Sequence, residues 1–141
     1  MEIKKILVAY DDSLGSKKAL KWAMDLAEKL QSMVVVVSVV KPPEFSSTID
    51  ETDQFFADGD RHYQPILDEI VKNGKDYNIV VESEILHGHI AESIVRYAAD
   101  QEVDLIVMGT RGMGGFKNLV IGSVAQKVTT YATVPVTIMK K

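Results

Sequence analysis

The 141 residues are 46% hydrophobic and 26% charged, carry a formal net charge of −4 and include no cysteine. That balance suits one soluble globular domain that buries a core without cross-links, and it excludes disulfides, thiolate chemistry and cysteine-ligated zinc or iron–sulfur centres. An acidic chain lacks the basic face that nucleic acid demands, and its longest apolar run, residues 33–40, is too short for a bilayer.

Along the chain, short β-branched runs alternate with helical periodicity. Ile6-Leu7-Val8-Ala9 reads as the first strand, with Tyr10-Asp11-Asp12-Ser13 just after it. Ser13 is placed to cap a helix whose apolar stripe is Ala19, Trp22, Ala23, Leu26, Ala27 and Leu30, with Lys17, Lys18 and Lys21 on its solvated face. Residues 33–40 form the second strand. The segment 41–60 carries Pro42-Pro43, Ser46-Ser47 and several acids without a clean period. It reads as a mobile lid, a disordered insert or a plain surface loop. A second helical stripe, Tyr63, Ile66, Leu67, Ile70 and Val71, ends near Asn73-Gly74. Ile79-Val80-Val81 reads as the third strand, with Leu86-His87-Gly88-His89 before the third helix at Ile90, Ala91, Ile94, Val95 and Ala98. Leu105-Ile106-Val107-Met108 is the fourth strand, Val124, Val128 and Tyr131 mark a short fourth helix, and residues 134–139 form the last strand. Pro135 suits an edge strand, and an exposed edge is a template for a second copy.

The order βαβαβαβαβ, with near-continuous apolar strands, predicts an α/β fold: a doubly wound, Rossmann-like sandwich over a parallel sheet, in a single domain spanning 1–141. In such sheets ligands collect outside the carboxyl ends of the strands. The turn after the fourth strand, Gly109-Thr110-Arg111-Gly112-Met113-Gly114-Gly115, lets backbone amides approach an anion unhindered by Cβ atoms. Gly122-Ser123 then opens the last helix, whose first amides are unpaired. The intervening residues form an excursion that returns the chain to the same place, with Arg111 and Lys117 as nearby cations. A phosphate chain fits between the two. A Walker A loop is excluded because Lys117 is followed by Asn118, and a dinucleotide fingerprint because the first turn has no glycine before Gly15.

Gly109, Gly112 and Gly122-Ser123 carry the spacing Gly, two residues, Gly, nine residues, Gly, Ser. With it, the chain resembles the ATP-binding members of the universal stress protein family. Asp104 to Gly112, the opening Ile6 to Asp11 and the closing Val134-Pro135-Val136 are similar to the same family, so the resemblance spans essentially the whole chain. It implies an adenine nucleotide alpha hydrolase-like fold with a five-stranded parallel sheet in the order 3-2-1-4-5. It implies that Asp11 meets the adenosine, with Ala9 and Tyr10 on the same wall. Val39 would touch adenine, its backbone bonding the base edge. Met108 would add to the wall, and Gly109, Gly112, Gly122, Ser123 and Val124 would surround ribose and phosphates. It further implies a homodimer through residues 134–139. A cytoplasmic location is expected from the absence of cysteine and an N-terminus that does not read as a signal peptide, and a regulatory protein partner is expected to read the nucleotide state. Ser38, where many relatives have histidine, and Asp12, where glycine is common, depart from the pattern.

Rival readings use other residues. His87-Gly88-His89 suggests adenylyl transfer, although the related nucleotidyltransferases carry that element after the first strand. Asp11 and Asp12 are adjacent, so their side chains diverge rather than share a proton. Mg²⁺ or Mn²⁺ would arrive on the phosphates. The expected role is a nucleotide-dependent switch in stress adaptation, against slow ATP hydrolysis on one side and a nucleotide-free interaction module on the other.

Overall fold

The computed structural model describes residues 1–45, 48–110 and 121–140. In chain order its elements are β1 (Lys5–Ala9), α1 (Leu14–Leu30), β2 (Met33–Val40), α2 (Ile49–Asn73), β3 (Val81–His87), α3 (Ile90–Asp100), β4 (Leu105–Gly109), α4 (Ser123–Tyr131) and β5 (Val136–Met139), with a short 3-10 turn at Gly74–Tyr77. The five strands form one sheet in the order β3-β2-β1-β4-β5, and every pair is parallel. This is the doubly wound arrangement expected.

The sheet is buried on both faces because each parallel crossover lays a helix across it. Ile6, Val8, Val34, Val36 and Val107 pack with Ala19, Ala23 and Ala27 of α1 and Leu67 of α2 on one face. Leu7, Val35, Ile106 and Met108 pack with Ala91 and Ile94 of α3 and Ala125 and Val128 of α4 on the other. The alternation of side chains along a strand divides β1 between the two cores.

The helix boundaries follow from local chemistry. Ser13 caps α1 as its sequence position suggests, its Oγ accepting from the Ser16 amide at 3.2 Å. α1 ends at Gln31, whose left-handed backbone (φ 56°) returns an N–H to the Ala27 carbonyl. α2 begins where Thr48 Oγ1 accepts from the Glu51 amide at 3.1 Å, and Asp50 and Glu51 sit in its first turn. That favours the positive end of the helix dipole. At its far end α2 stops at Asn73 before Gly74.

Three sequence expectations need correction. Residues 49–60 are not loop but the first half of a 25-residue α2. Gly59 inside it, a poor helix former, hides the helix. Gly59 is there for contact, since a Cβ at that position would lie 2.6 Å from Val40 Cγ1. The third strand is not 79–81 but Val81–His87. It is an edge strand with Glu82 and Glu84 exposed, so it lacks the continuous apolar run of the central strands. The last strand starts at Val136, and Pro135 sits just outside it, with its carbonyl accepting from the Ile106 amide at 3.0 Å. Its place at the sheet edge is as expected.

Leu67 is the fully buried anchor of α2. Leu67→Ala is expected to cost about 2–5 kcal/mol of unfolding free energy, from lost transfer energy plus a cavity. Urea denaturation reads this directly, and a loss below about 0.5 kcal/mol would mean that α2 is not seated on the sheet as described.

Candidate functional site

β1 lies between β2 and β4, so the connections leaving the carboxyl ends of these strands diverge to opposite faces and a crevice opens between them. It is an open cleft of about 750 Å³. Nine of the eleven sequence-predicted site residues line it. Ala9, Tyr10 and Asp11 come from the end of β1, Val39 from β2, Met108 and Gly109 from β4, and Gly122, Ser123 and Val124 from the start of α4. The other two, Arg111 and Gly112, lie outside the described residues, as does Lys117.

The turn after β1 is tightly tied. The Tyr10 amide donates to the Val37 carbonyl at 2.8 Å, and the Ser38 hydroxyl donates to the Tyr10 carbonyl at 2.6 Å. Ser38 thus clips β2 to the end of β1. The Tyr10 hydroxyl donates to Asp12 Oδ1 at 3.0 Å. Asp12 itself is left-handed (φ 66°), a conformation that aspartate tolerates and glycine adopts freely. Asp11 Oδ1 instead accepts from the Ser13 amide at 3.1 Å, and Asp12 Oδ1 lies 3.7 Å from Lys17 Nζ. The two carboxylates therefore serve different partners, as their adjacency implies. Burial, first, and then the hydrogen bond and charge of Asp12 and the charge of Asp11 push the Tyr10 hydroxyl well above the ordinary tyrosine range. Tyr63 of α2 is shifted the same way by burial and, through space, by Asp11 and Asp12.

On the opposite side, a Cβ on Gly109 would meet the Gly15 backbone at 2.8 Å. The end of β4 and the start of α1 thus touch backbone to backbone. The Gly122 amide donates to the Thr110 carbonyl at 2.8 Å, so the excursion expected between these residues has tied ends. Among the described residues no side chain caps α4 at Gly122. Its first-turn amides and the exposed Ser123 face the cleft wall with the positive end of the helix dipole.

β2 contributes backbone. Met33 donates to β1 through its amide, and Val37 accepts from β1 through its carbonyl. Val34 donates towards β3, and Val40 accepts from beyond its end. By this alternation the N–H and C=O of Val39 point to the β1 side, past the point where β1 has stopped, leaving a donor–acceptor pair turned to the cleft.

α2 supplies what sequence reasoning missed. Phe55, His62 and Tyr63 line the cleft, together with Lys41 just after β2. The signal was present as a Thr48-x-x-Glu51 capping box, which marks a helix start inside the segment read as loop. His87 and His89 do not join the lining. His87 ends β3 and turns to α2, its Nε2 2.7 Å from Asp60 Oδ1 and its ring stacked on Phe56 with centroids 4.4 Å apart. His89 is the exposed residue before α3. Gly88 between them has φ 142°, a turn conformation. Among the described residues no three His, Asp or Glu side chains gather as a metal site, and no helix is long and apolar enough to cross a membrane.

The model of the universal stress protein family matches residues 2–140. A relative, universal stress protein MJ0531 of Methanocaldococcus jannaschii, is 31% identical, the match covering 98% of this chain and 82% of that protein. A solved structure described as that of the hypothetical protein MJ0577 superposes with TM-score 0.91 at 27% identity, covering 100% of this chain and 98% of the other. Two more distant structures share the fold. A universal stress protein in complex with cAMP has TM-score 0.72 at 21% identity, covering 96% of each chain. An Arabidopsis thaliana protein of the same family with AMP bound has TM-score 0.69 at 16% identity, covering 98% of this chain and 92% of the other.

The Tyr10 shift has a signed consequence. A hydroxyl that holds its proton more tightly in the folded state stabilises fully below the unfolded tyrosine value of about 10, and that contribution is lost as pH rises further. Unfolding free energy should therefore fall between about pH 10 and about pH 11, and Tyr10→Phe should flatten the decline, with Tyr63, Tyr97 and Lys21, each shifted upward as well, sustaining the remainder. Urea titrations across that range give the slopes, and an unchanged slope in the variant would show that Tyr10 is not held as described.

Proposed function

The chain belongs to the universal stress protein family, and from that premise we propose that its cleft binds an adenine nucleotide, ATP foremost, as a regulatory switch in stress adaptation. The observation that carries this is the tie from the Gly122 amide to the Thr110 carbonyl. It brings the start of α4 to the same cleft as the backbone pair of Val39, which β1 leaves unpaired. One end offers amides and a hydroxyl to phosphates, and the other a donor and acceptor to a base edge. The same fold carries cAMP in one solved structure and AMP in another, which is the ground for choosing adenine. Asp11 at the end of β1 is the ribose contact in this reading, and Arg111 and Gly112 complete the phosphate end. Mg²⁺ or Mn²⁺ would ride on phosphate oxygens and water.

In this reading the domain is one nucleotide-binding unit spanning 1–141, acting in the cytoplasm as a homodimer joined through residues 134–139, and a regulatory protein reads its nucleotide state. A switch is favoured over fast turnover because Asp11, the one carboxylate among the described lining residues, is committed in part to its own turn. Segment 41–60, helical from Ile49, or segment 113–121 is where that state would be read.

Isothermal titration with ATP, ADP, AMP and cAMP tests the nucleotide. Gly122 has φ −61° and ψ 158°, angles a β-branched residue can adopt, so Gly122→Val should keep the fold while weakening ATP at least about tenfold, or about 1.4 kcal/mol. Absence of binding to the unaltered chain would overturn the nucleotide reading, and equal affinity in the variant the phosphate-end placement. Digestion patterns that do not change with ATP would count against the switch, and sedimentation of the unaltered chain as a monomer against the dimer.

A further inference from the structure

We propose that α2 is the wall on which the nucleotide's base lies, with Phe55 and His62 as the rings that cover its face; this rests on the nucleotide reading above and adds the surface that sets base preference. The argument starts from where α2 is fastened. Gly59 brings the helix backbone against Val40, where any Cβ would fall 2.6 Å from Cγ1. One residue on, Asp60 bonds His87 Nε2 at 2.7 Å, and one turn back Phe56 stacks on the same imidazole with an interplanar angle of 2°. These contacts pin the middle of α2 over the carboxyl end of β2.

Val40 directly follows Val39, the residue whose N–H and C=O, left unpaired by β1, can read a base edge. The pinned turn of α2 and the base-reading backbone therefore occupy one corner of the cleft. Phe55 stands one turn before Gly59 and His62 about one turn after it, and positions 55 and 62 share a helix face because seven residues are close to two turns. Both line the cleft. Phe55 is 43% exposed, a large apolar ring left uncovered at the mouth of a cavity. His62 is held edge-on by Tyr63, centroids 5.0 Å apart, which orients its ring.

A planar base bonded edgewise by Val39 would present its face to these rings. Base–aromatic stacking tolerates any base but strengthens with π-surface, so a purine is covered better than a pyrimidine. The phosphate end at Gly122 and Ser123 is built from other elements and does not involve α2. Base and phosphate binding are therefore separable in this chain.

The test uses that separability. Phe55→Ala and His62→Ala are titrated with AMP, CMP and ribose 5-phosphate, which lacks a base, with melting curves to confirm the fold. Each variant should weaken AMP by about five- to a hundredfold, the range of alanine substitution at a stacked base. The unaltered chain should prefer AMP to CMP, each variant should narrow that preference, and ribose 5-phosphate should bind all three proteins alike. If the unaltered chain binds AMP and both variants bind it equally well, the α2 wall is wrong while the nucleotide site stands. Parallel loss of ribose 5-phosphate would also overturn it, by showing a general change in the cleft. If the unaltered chain binds no nucleotide, the underlying reading fails first.

Discussion

Parallel strands cannot be joined by a tight turn; each neighbouring pair needs a crossover long enough to carry a helix over one face. In this molecule that constraint converges on β1. Its two neighbours are the strands reached before α2 and after α3, so the chain above it leaves in opposite directions and a gap opens between the strand ends. Everything at the cleft is a response to that gap. The Ser38–Tyr10 clip and the tyrosine–aspartate bond stiffen one lip. The contact of Gly109 with Gly15 closes the floor, and α4 turns its start to the other lip. None of these features needs a ligand to form, so the cavity is built into the packing of the sheet.

How much of this was legible in the amino acids depended on what each residue type was doing. The central strands are apolar on both faces, and runs such as Met33–Val40 announce themselves. The edge strand β3 faces solvent through Glu82 and Glu84, and its alternation was overlooked beside the purely apolar Ile79-Val80-Val81. The first half of α2 was hidden for another reason. Gly59 is there to let two elements touch, a tertiary need that looks locally like a helix breaker. The cap that contradicts that impression is only two residues, Thr48 and Glu51.

The cleft shows the same division. Residues set by strand ends and by the glycine spacing were readable from the sequence, since their positions follow from topology. Gly109 was readable for a partial reason: it was expected to admit an anion, whereas its missing Cβ is first demanded by Gly15. The aromatic side of the cleft was not readable, because Phe55 and His62 arrive there only once a helix is recognised and its docking on Val40 is known. The histidines at 87 and 89 were conspicuous in sequence, yet in the structure His87 holds α2 and Gly88 makes the turn.

The two edges of the sheet are electrically unequal. Along β3 the exposed Glu82 and Glu84 form an acidic border, felt as far as Tyr97 of α3, whose hydroxyl they help to keep protonated. A second copy of β3 laid alongside would set acid against acid, and such charges are a common guard against stray strand addition. β5 has no such guard; Val136, Thr137, Ile138 and Met139 carry no charge at all. Of the two described edges, β5 is the one where a like strand would not set acid against acid. Two copies meeting along β5 would leave their acidic borders facing outward, where a further β3 would be repelled.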